Sequence, residues 1–228
     1  MQLTKRSLKI GNQEIACEYA IKKQNVVILH GAGASNRARY YPFAEEILKH
    51  DYGVVLFDFT GHGESSGELK DSSLNNRQEQ ALQVIEKLLP KNSDFILVGF
   101  SMSGQTVCDL LPLFPRRVKT ILLGCPATYT KDAANIQFKD DGFRTLIRTD
   151  SSWKNSTAIT NLAKFSGKTF IAYGDRDEVI PKEVITTLQA TAKHLTYRHY
   201  DASHALAVWL GENPRELEKL VNEVTEKS

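Results

Sequence analysis

Gly99-Phe100-Ser101-Met102-Ser103-Gly104 follows the apolar run Phe95-Ile96-Leu97-Val98. A buried strand that breaks off at Gly-x-Ser and passes straight into a helix sets the serine on a tight, strained turn, its hydroxyl above the sheet. The residues two places either side must then be small, and they are Gly99 and Ser103. A serine hydroxyl is a poor nucleophile until a base accepts its proton during attack. The chemistry also needs an acid to hold that base in one tautomer, and donors already aimed at the oxyanion that develops on the substrate.

Groups for each role stand at the ends of other apolar runs. Gly174-Asp175-Arg176-Asp177 follows Thr169 to Tyr173, and Asp201-Ala202-Ser203-His204-Ala205 follows Thr196 to Tyr200. His204 is the candidate base, because imidazole titrates near neutrality. Asp175, Asp177 and Asp201 all compete for the acid, and position alone leaves them open. Asp175 and Asp177 are two apart, so only one is expected to point at the histidine, and Asp175 can instead tie down its own turn. Oxyanion donors are available from the amide of Met102, directly after the serine, and from one amide of His30-Gly31-Ala32-Gly33.

A literal Gly-x-Ser-x-Gly occurs at Gly63-Glu64-Ser65-Ser66-Gly67. It lies several residues past its strand and runs into polar Glu68-Leu69-Lys70-Asp71 rather than a helix, so structural context favours Ser101. His30, His50, His62, His194 and His199 are expected to serve turns, hydrogen bonds or solvent. No group of Cys, His, Asp and Glu has metal-ligand spacing, and the 30–33 loop lacks the Gly-Lys-Ser/Thr ending of a phosphate loop. Neither a metal nor another cofactor is expected.

The elements that must position these groups alternate along the chain. Leu8-Lys9-Ile10 and Glu14 to Tyr19 read as a hairpin about Gly11-Asn12. Strands are then expected at Val26 to Leu29, Val54 to Phe57, Phe95 to Val98, Lys119 to Gly124, Thr169 to Tyr173 and Thr196 to Tyr200. Helices are expected near Tyr40 to His50 and Asn76 to Leu89, and from about Gly104, Pro181 and Pro214. Repeated β-α-β units predict a parallel sheet covered on both faces, with the hairpin adding antiparallel strands at one edge. Ligands of such sheets bind beyond the carboxyl ends of the strands, where Ser101, Asp177 and His204 fall. Residues 127–167 are too long for a crossover helix alone and read as a small, mostly helical cap within one domain spanning 1–228.

Composition narrows the classes of function. With 29 Lys and Arg against 27 Asp and Glu, the net charge of +2 gives no basic patch for nucleic acid. The N-terminal residues do not read as a signal peptide and no run is long enough to span a membrane, so a cytoplasmic location is expected. Cys17, Cys108 and Cys125 sit in apolar surroundings and read as buried small residues rather than a disulfide framework.

Leu29-His30-Gly31-Ala32-Gly33, Asp58 to Gly67, Gly99 to Gly104 and Gly174 to Pro181, with His204 beyond them, resemble the α/β-hydrolase superfamily over nearly the whole chain. The chain order Ser, Asp, His is the order of that fold. The His-Gly-Ala-Gly and Ser-Met elements are similar to those of its serine aminopeptidase/monoacylglycerol-lipase-like branch. The resemblance implies an α/β-hydrolase fold with a mostly parallel sheet of about eight strands, flanking helices and a small helical cap. It implies Asp177 as the acid, the amides of Ala32 and Met102 as oxyanion donors, and a structural role for the Gly-His-Gly loop. Ser103 departs from the usual glycine. The expected activity is hydrolysis of small to medium carboxylic esters, with thioesters a close variant, through an acyl-enzyme. Aminopeptidase action is disfavoured, since no acidic cluster in 127–167 is placed to hold an amino terminus. The competing expectation is a hydrolase-fold ligand-binding or receptor protein with little turnover.

Overall fold

The computed structural model describes residues 2–226. Strands β1 (Thr4–Ile10) and β2 (Gln13–Ala20) form the hairpin, with Thr4 opposite Tyr19 and Ile10 opposite Gln13. Next in sequence come β3 (Asn25–Leu29), β4 (Gly53–Phe57), β5 (Phe95–Phe100), β6 (Val118–Gly124), β7 (Lys168–Gly174) and β8 (His194–Tyr200). They assemble in the order β1-β2-β4-β3-β5-β6-β7-β8. β2 meets β4 antiparallel, and every pairing beyond β4 is parallel. The eight-stranded, mostly parallel sheet is the expected architecture.

The uninterrupted apolar runs are explained by burial on both faces. Val27, Leu29, Val55, Phe57 and Leu97 pack with α2 (Leu74–Leu88), α3 (Ser103–Leu110) and α6 (Lys182–Thr191). Their neighbours Val26, Ile28, Val54, Leu56 and Val98 pack with α1 (Tyr41–Lys49), α7 (Leu206–Glu212) and α8 (Pro214–Thr225). Side chains alternate across a strand, so a strand covered twice must be apolar at every position. The Ser73 hydroxyl accepts the Asn76 amide at 3.1 Å and caps α2, starting it two residues before the predicted Asn76. α7 has no counterpart among the predicted helices. It spans seven residues, too few for a helical period to show, and buries Leu206, Ala207 and Leu210 just after His204.

Segment 127–167 is mostly helical, with α4 (Asp141–Arg148), α5 (Thr157–Lys164) and 3-10 turns at Lys131–Ala133 and Ser152–Asn155. Its two halves pack differently. α5 joins the layer over the sheet and docks on α3, where the Asp109 carboxylate accepts from Gln105, Thr157 and Asn161. α4 places Phe143 against Leu74 and Met102, beside the turn that carries Ser101. Among the described residues no helix is long and apolar enough to cross a membrane.

Candidate active site

Ser101 begins where β5 ends and takes a left-handed φ of +53°, a conformation that a non-glycine residue adopts at a cost of about 1–3 kcal/mol. Three hydrogen bonds hold it there. Its amide donates to the Gly124 carbonyl at 2.9 Å, and its own carbonyl accepts from Gly104 at 2.8 Å and Ala127 at 2.9 Å. A Cβ on Gly99 would come within 2.6 Å of Val107 Cγ2 on α3, which is why this side of the turn carries no side chain. On the other side the small Ser103 fits and is fully buried.

The fold brings together Ser101, His204 and Asp177 from the ends of three strands. His204 Nε2 lies 2.9 Å from Ser101 Oγ, and His204 Nδ1 lies 2.9 Å from Asp177 Oδ2. A carboxylate can only accept here, so Nδ1 carries the proton and Nε2 is left to accept from the serine hydroxyl. The second carboxylate oxygen, Oδ1, accepts the amides of Val179 at 2.8 Å and Ile180 at 3.1 Å. Burial alone would raise the Asp177 pKa. The His204 hydrogen bond and those two amides outweigh it and hold the carboxyl below its ordinary value.

The rival carboxylates are engaged elsewhere. Asp175 pairs with His199 at 2.9 Å on an exposed surface, and Asp201 pairs with Arg176 at 2.8 Å. Ser65 is likewise committed, since its hydroxyl donates to the Asp58 carbonyl at 2.6 Å and accepts the Ala16 amide at 2.9 Å. His30 accepts the Phe59 amide on Nε2 at 3.0 Å, so its Nδ1 donates to the Gly31 carbonyl at 2.6 Å. Burial drives the pKa of this ring well below its ordinary value and keeps it neutral.

Ser101 and His204 open on a cleft of about 400 Å³ that Gly31 and Ala32 also line. A Cβ on Gly31 would sit 3.1 Å from Ser101 Cβ, so the loop after β3 lies directly against Ser101. Phe100, Arg39 and Arg176 contribute to the walls, and Val179 and Val208, 62% and 38% exposed, form an apolar rim. No residue of 127–167 lines this cleft.

Cys125, read from the sequence as a buried small residue, is buried as expected, but its place beside the site was not foreseen: it follows β6 with φ +43°. Its Sγ, an Asp177 carboxylate oxygen and a His204 ring nitrogen all lie within 4.8 Å of one another. Among the described residues this is the one group near enough to share a metal ion. Ligand spacing along the chain could not reveal it, because the three residues come from three strand ends. Burial pushes the Cys125 thiol far above its ordinary pKa, so it stays protonated and is a poor metal ligand.

Residues 24–150, more than half of the chain, match the alpha/beta hydrolase fold family. The Escherichia coli K12 protein YfhR is 23% identical over 73% of this chain and 57% of its own length. Human monoacylglycerol lipase ABHD6 is 29% identical over 50% of this chain and 34% of its own. The match thus spans little more than half of the first relative and a third of the second. The thioesterase domain from the curacin biosynthetic pathway superposes with a TM-score of 0.75, covering 97% of this chain and 99% of that one at 16% identity.

Proposed function

The chain belongs to the α/β-hydrolase fold family, and from that premise we propose that it is a serine hydrolase of small to medium carboxylic esters, with thioesters as a close variant. The observation that carries this reading is the unbroken series Ser101–His204–Asp177 at 2.9 Å and 2.9 Å, opening on a cleft. Ser101 Oγ attacks the substrate carbonyl carbon while its proton passes to His204 Nε2. Asp177 keeps the imidazole in the accepting tautomer and stabilises the imidazolium that forms. The amides of Ala32 and Met102 receive the oxyanion, and no other group among the described residues engages them. The tetrahedral intermediate collapses, His204 returns the proton to the leaving alcohol or thiol, and an acyl-Ser101 ester remains. Water then repeats the sequence with His204 as base, releasing the acid and restoring the serine.

The substrate class follows from the cleft and from the relatives. About 400 Å³ with an apolar rim suits an acyl chain of modest length. A lipase and a thioesterase among the similar proteins both act on acyl carbonyls. We read α4 and its surroundings as a compact cap that closes over Met102 rather than over the acyl cleft. Initial rates on p-nitrophenyl esters from acetate to long acyl chains test the proposal. Turnover is expected with an optimum at short to medium chains, and Ser101→Ala is expected to lower kcat by about four orders of magnitude. Folded protein that binds esters but releases no product would favour the ligand-binding alternative.

A further inference from the structure

The two buried arginines of this fold are paired in opposite ways. Arg37 sits among the carboxylates of Glu18, Asp58 and Glu64. Arg77, on α2 and wholly inaccessible, has no carboxylate among its hydrogen-bond partners or ion pairs within the described residues. One of its terminal nitrogens donates to the His30 carbonyl at 2.7 Å and to Ser103 Oγ at 2.9 Å. Its carbon lies 3.7 Å from the centre of the Phe59 ring, and Nε and the other terminal nitrogen have no hydrogen-bond partner. Burial brings its pKa down to about 9, which leaves the group charged at neutral pH. A desolvated cation without an anion is an expensive thing to keep in a core.

What it holds is informative. The Ser103 hydroxyl donates to the same His30 carbonyl, at 2.6 Å. That carbonyl therefore accepts two hydrogen bonds, one from the residue that replaces the usual glycine of the nucleophile turn and one from the unpaired cation. The peptide plane of His30 and Gly31 is pinned as a unit, because the C=O and the N–H are coplanar. The next plane is pinned too, since the His30 ring donates to the Gly31 carbonyl, and that plane carries the Ala32 amide.

We propose that Ser103 and Arg77 are positioning residues that fix the Ala32 amide against Ser101 by clamping the His30 carbonyl. The inference rests on the serine-hydrolase reading. The Ser103–His30 hydrogen bond couples the nucleophile turn to the oxyanion loop directly, and Arg77, bonded to both partners, braces that contact from α2. The clamp also explains why a serine is accommodated at 103, where a bare glycine would leave two hydrogen bonds unmade, one to the His30 carbonyl and one from Arg77.

The test is the rate at which a fluorophosphonate probe, whose phosphoryl oxygen must enter the oxyanion hole, labels Ser101 in wild type, Ser103→Ala and Arg77→Met. Labelling is expected to slow by about 10- to 100-fold in each variant, the scale of a displaced donor rather than a missing one. With a good ester, kcat is expected to fall at little-changed KM, and affinity for a boronic acid that adds to Ser101 should fall by the same factor. Arg77→Lys should recover part of the loss. A merely structural arginine gives a different pattern, because Arg77→Met replaces an unpaired buried charge by an apolar group of similar length and should not lower the melting temperature. Should Arg77→Met fail to fold, Ser103→Ala alone decides. Labelling of both variants at the wild-type rate would overturn the clamp while leaving the serine hydrolase standing. A wild type that is not labelled at all would remove both.

Discussion

In the proposed mechanism the direction of one carboxylate, that of Asp177, decides the chemistry. Its Oδ1 is occupied by the amides of Val179 and Ile180, so Oδ2 has one orientation available, toward His204. Asp177→Asn should therefore lower kcat by about 10⁴, by supporting the wrong imidazole tautomer. Asp175→Asn and Asp201→Asn, which lose only exposed pairs, should stay near wild type. Steady-state rates on one ester compare all three. The pH dependence follows from the same contacts. The Asp177 carboxyl is held below its ordinary value, so it stays ionised through the usual carboxylate range. Protonation of Asp177 should therefore add no second step to the acid limb of kcat/KM in that range, and a limb of slope two there would mean that the carboxyl is being neutralised as well. Ser101 and His204 were legible in the sequence because each announces itself within a few residues. The choice among three aspartates was not, since it depends on which loop amides each oxygen meets. The Arg77–Ser103 contact joins positions far apart in sequence and left no local trace beyond the missing glycine.

Between elements, the Arg37 cluster carries the largest concentration of buried charge. Arg37, in the turn Arg37–Tyr40, binds Asp58 after β4 and Glu18 on β2, whose side chains are 0% and 4% exposed. Arg37→Met leaves buried Asp58 without its cation and Glu18 with Lys5 as its remaining ion pair, and should cost about 3–5 kcal/mol in denaturant unfolding. Arg77→Met, which strands no anion, should cost little. The acid side has a sign as well. Burial would raise the Glu18 pKa, but hydrogen bonds from Tyr41, Arg37 and Lys5 lower it below its ordinary value. Its contribution is present above the unfolded carboxylate pKa of about 4.3 and is lost as pH falls through the lower folded value. Arg37→Met should accordingly shift acid unfolding to higher pH, as followed by circular dichroism.

Over the whole molecule, one sheet buried on both faces places every candidate group at the carboxyl ends of its strands. That architecture was readable because doubly covered strands are apolar throughout and the crossovers fall between them. The division of 127–167 was not, because neither helix's sequence says which element its apolar face meets, and α5 docks on α3 while α4 lies beside Met102. The cleft is walled by the loops after β3 and β7 and by α7, the helix absent from the sequence prediction. Acyl-chain preference should thus follow the rim. Val208→Trp should shift the optimum to shorter chains, whereas Phe143→Ala, in the α4 cluster, should cost about 3–5 kcal/mol of stability without moving it.

In the proposed mechanism Ser101 carries the acyl group. Rapid quenching of a reaction with p-nitrophenyl butyrate, followed by peptide mass mapping, reads this directly. A butyryl adduct is expected on the peptide bearing Ser101, absent in Ser101→Ala and absent from the peptide bearing Ser65. Steady turnover with no adduct at Ser101, or an adduct that persists in Ser101→Ala, would contradict that mechanism.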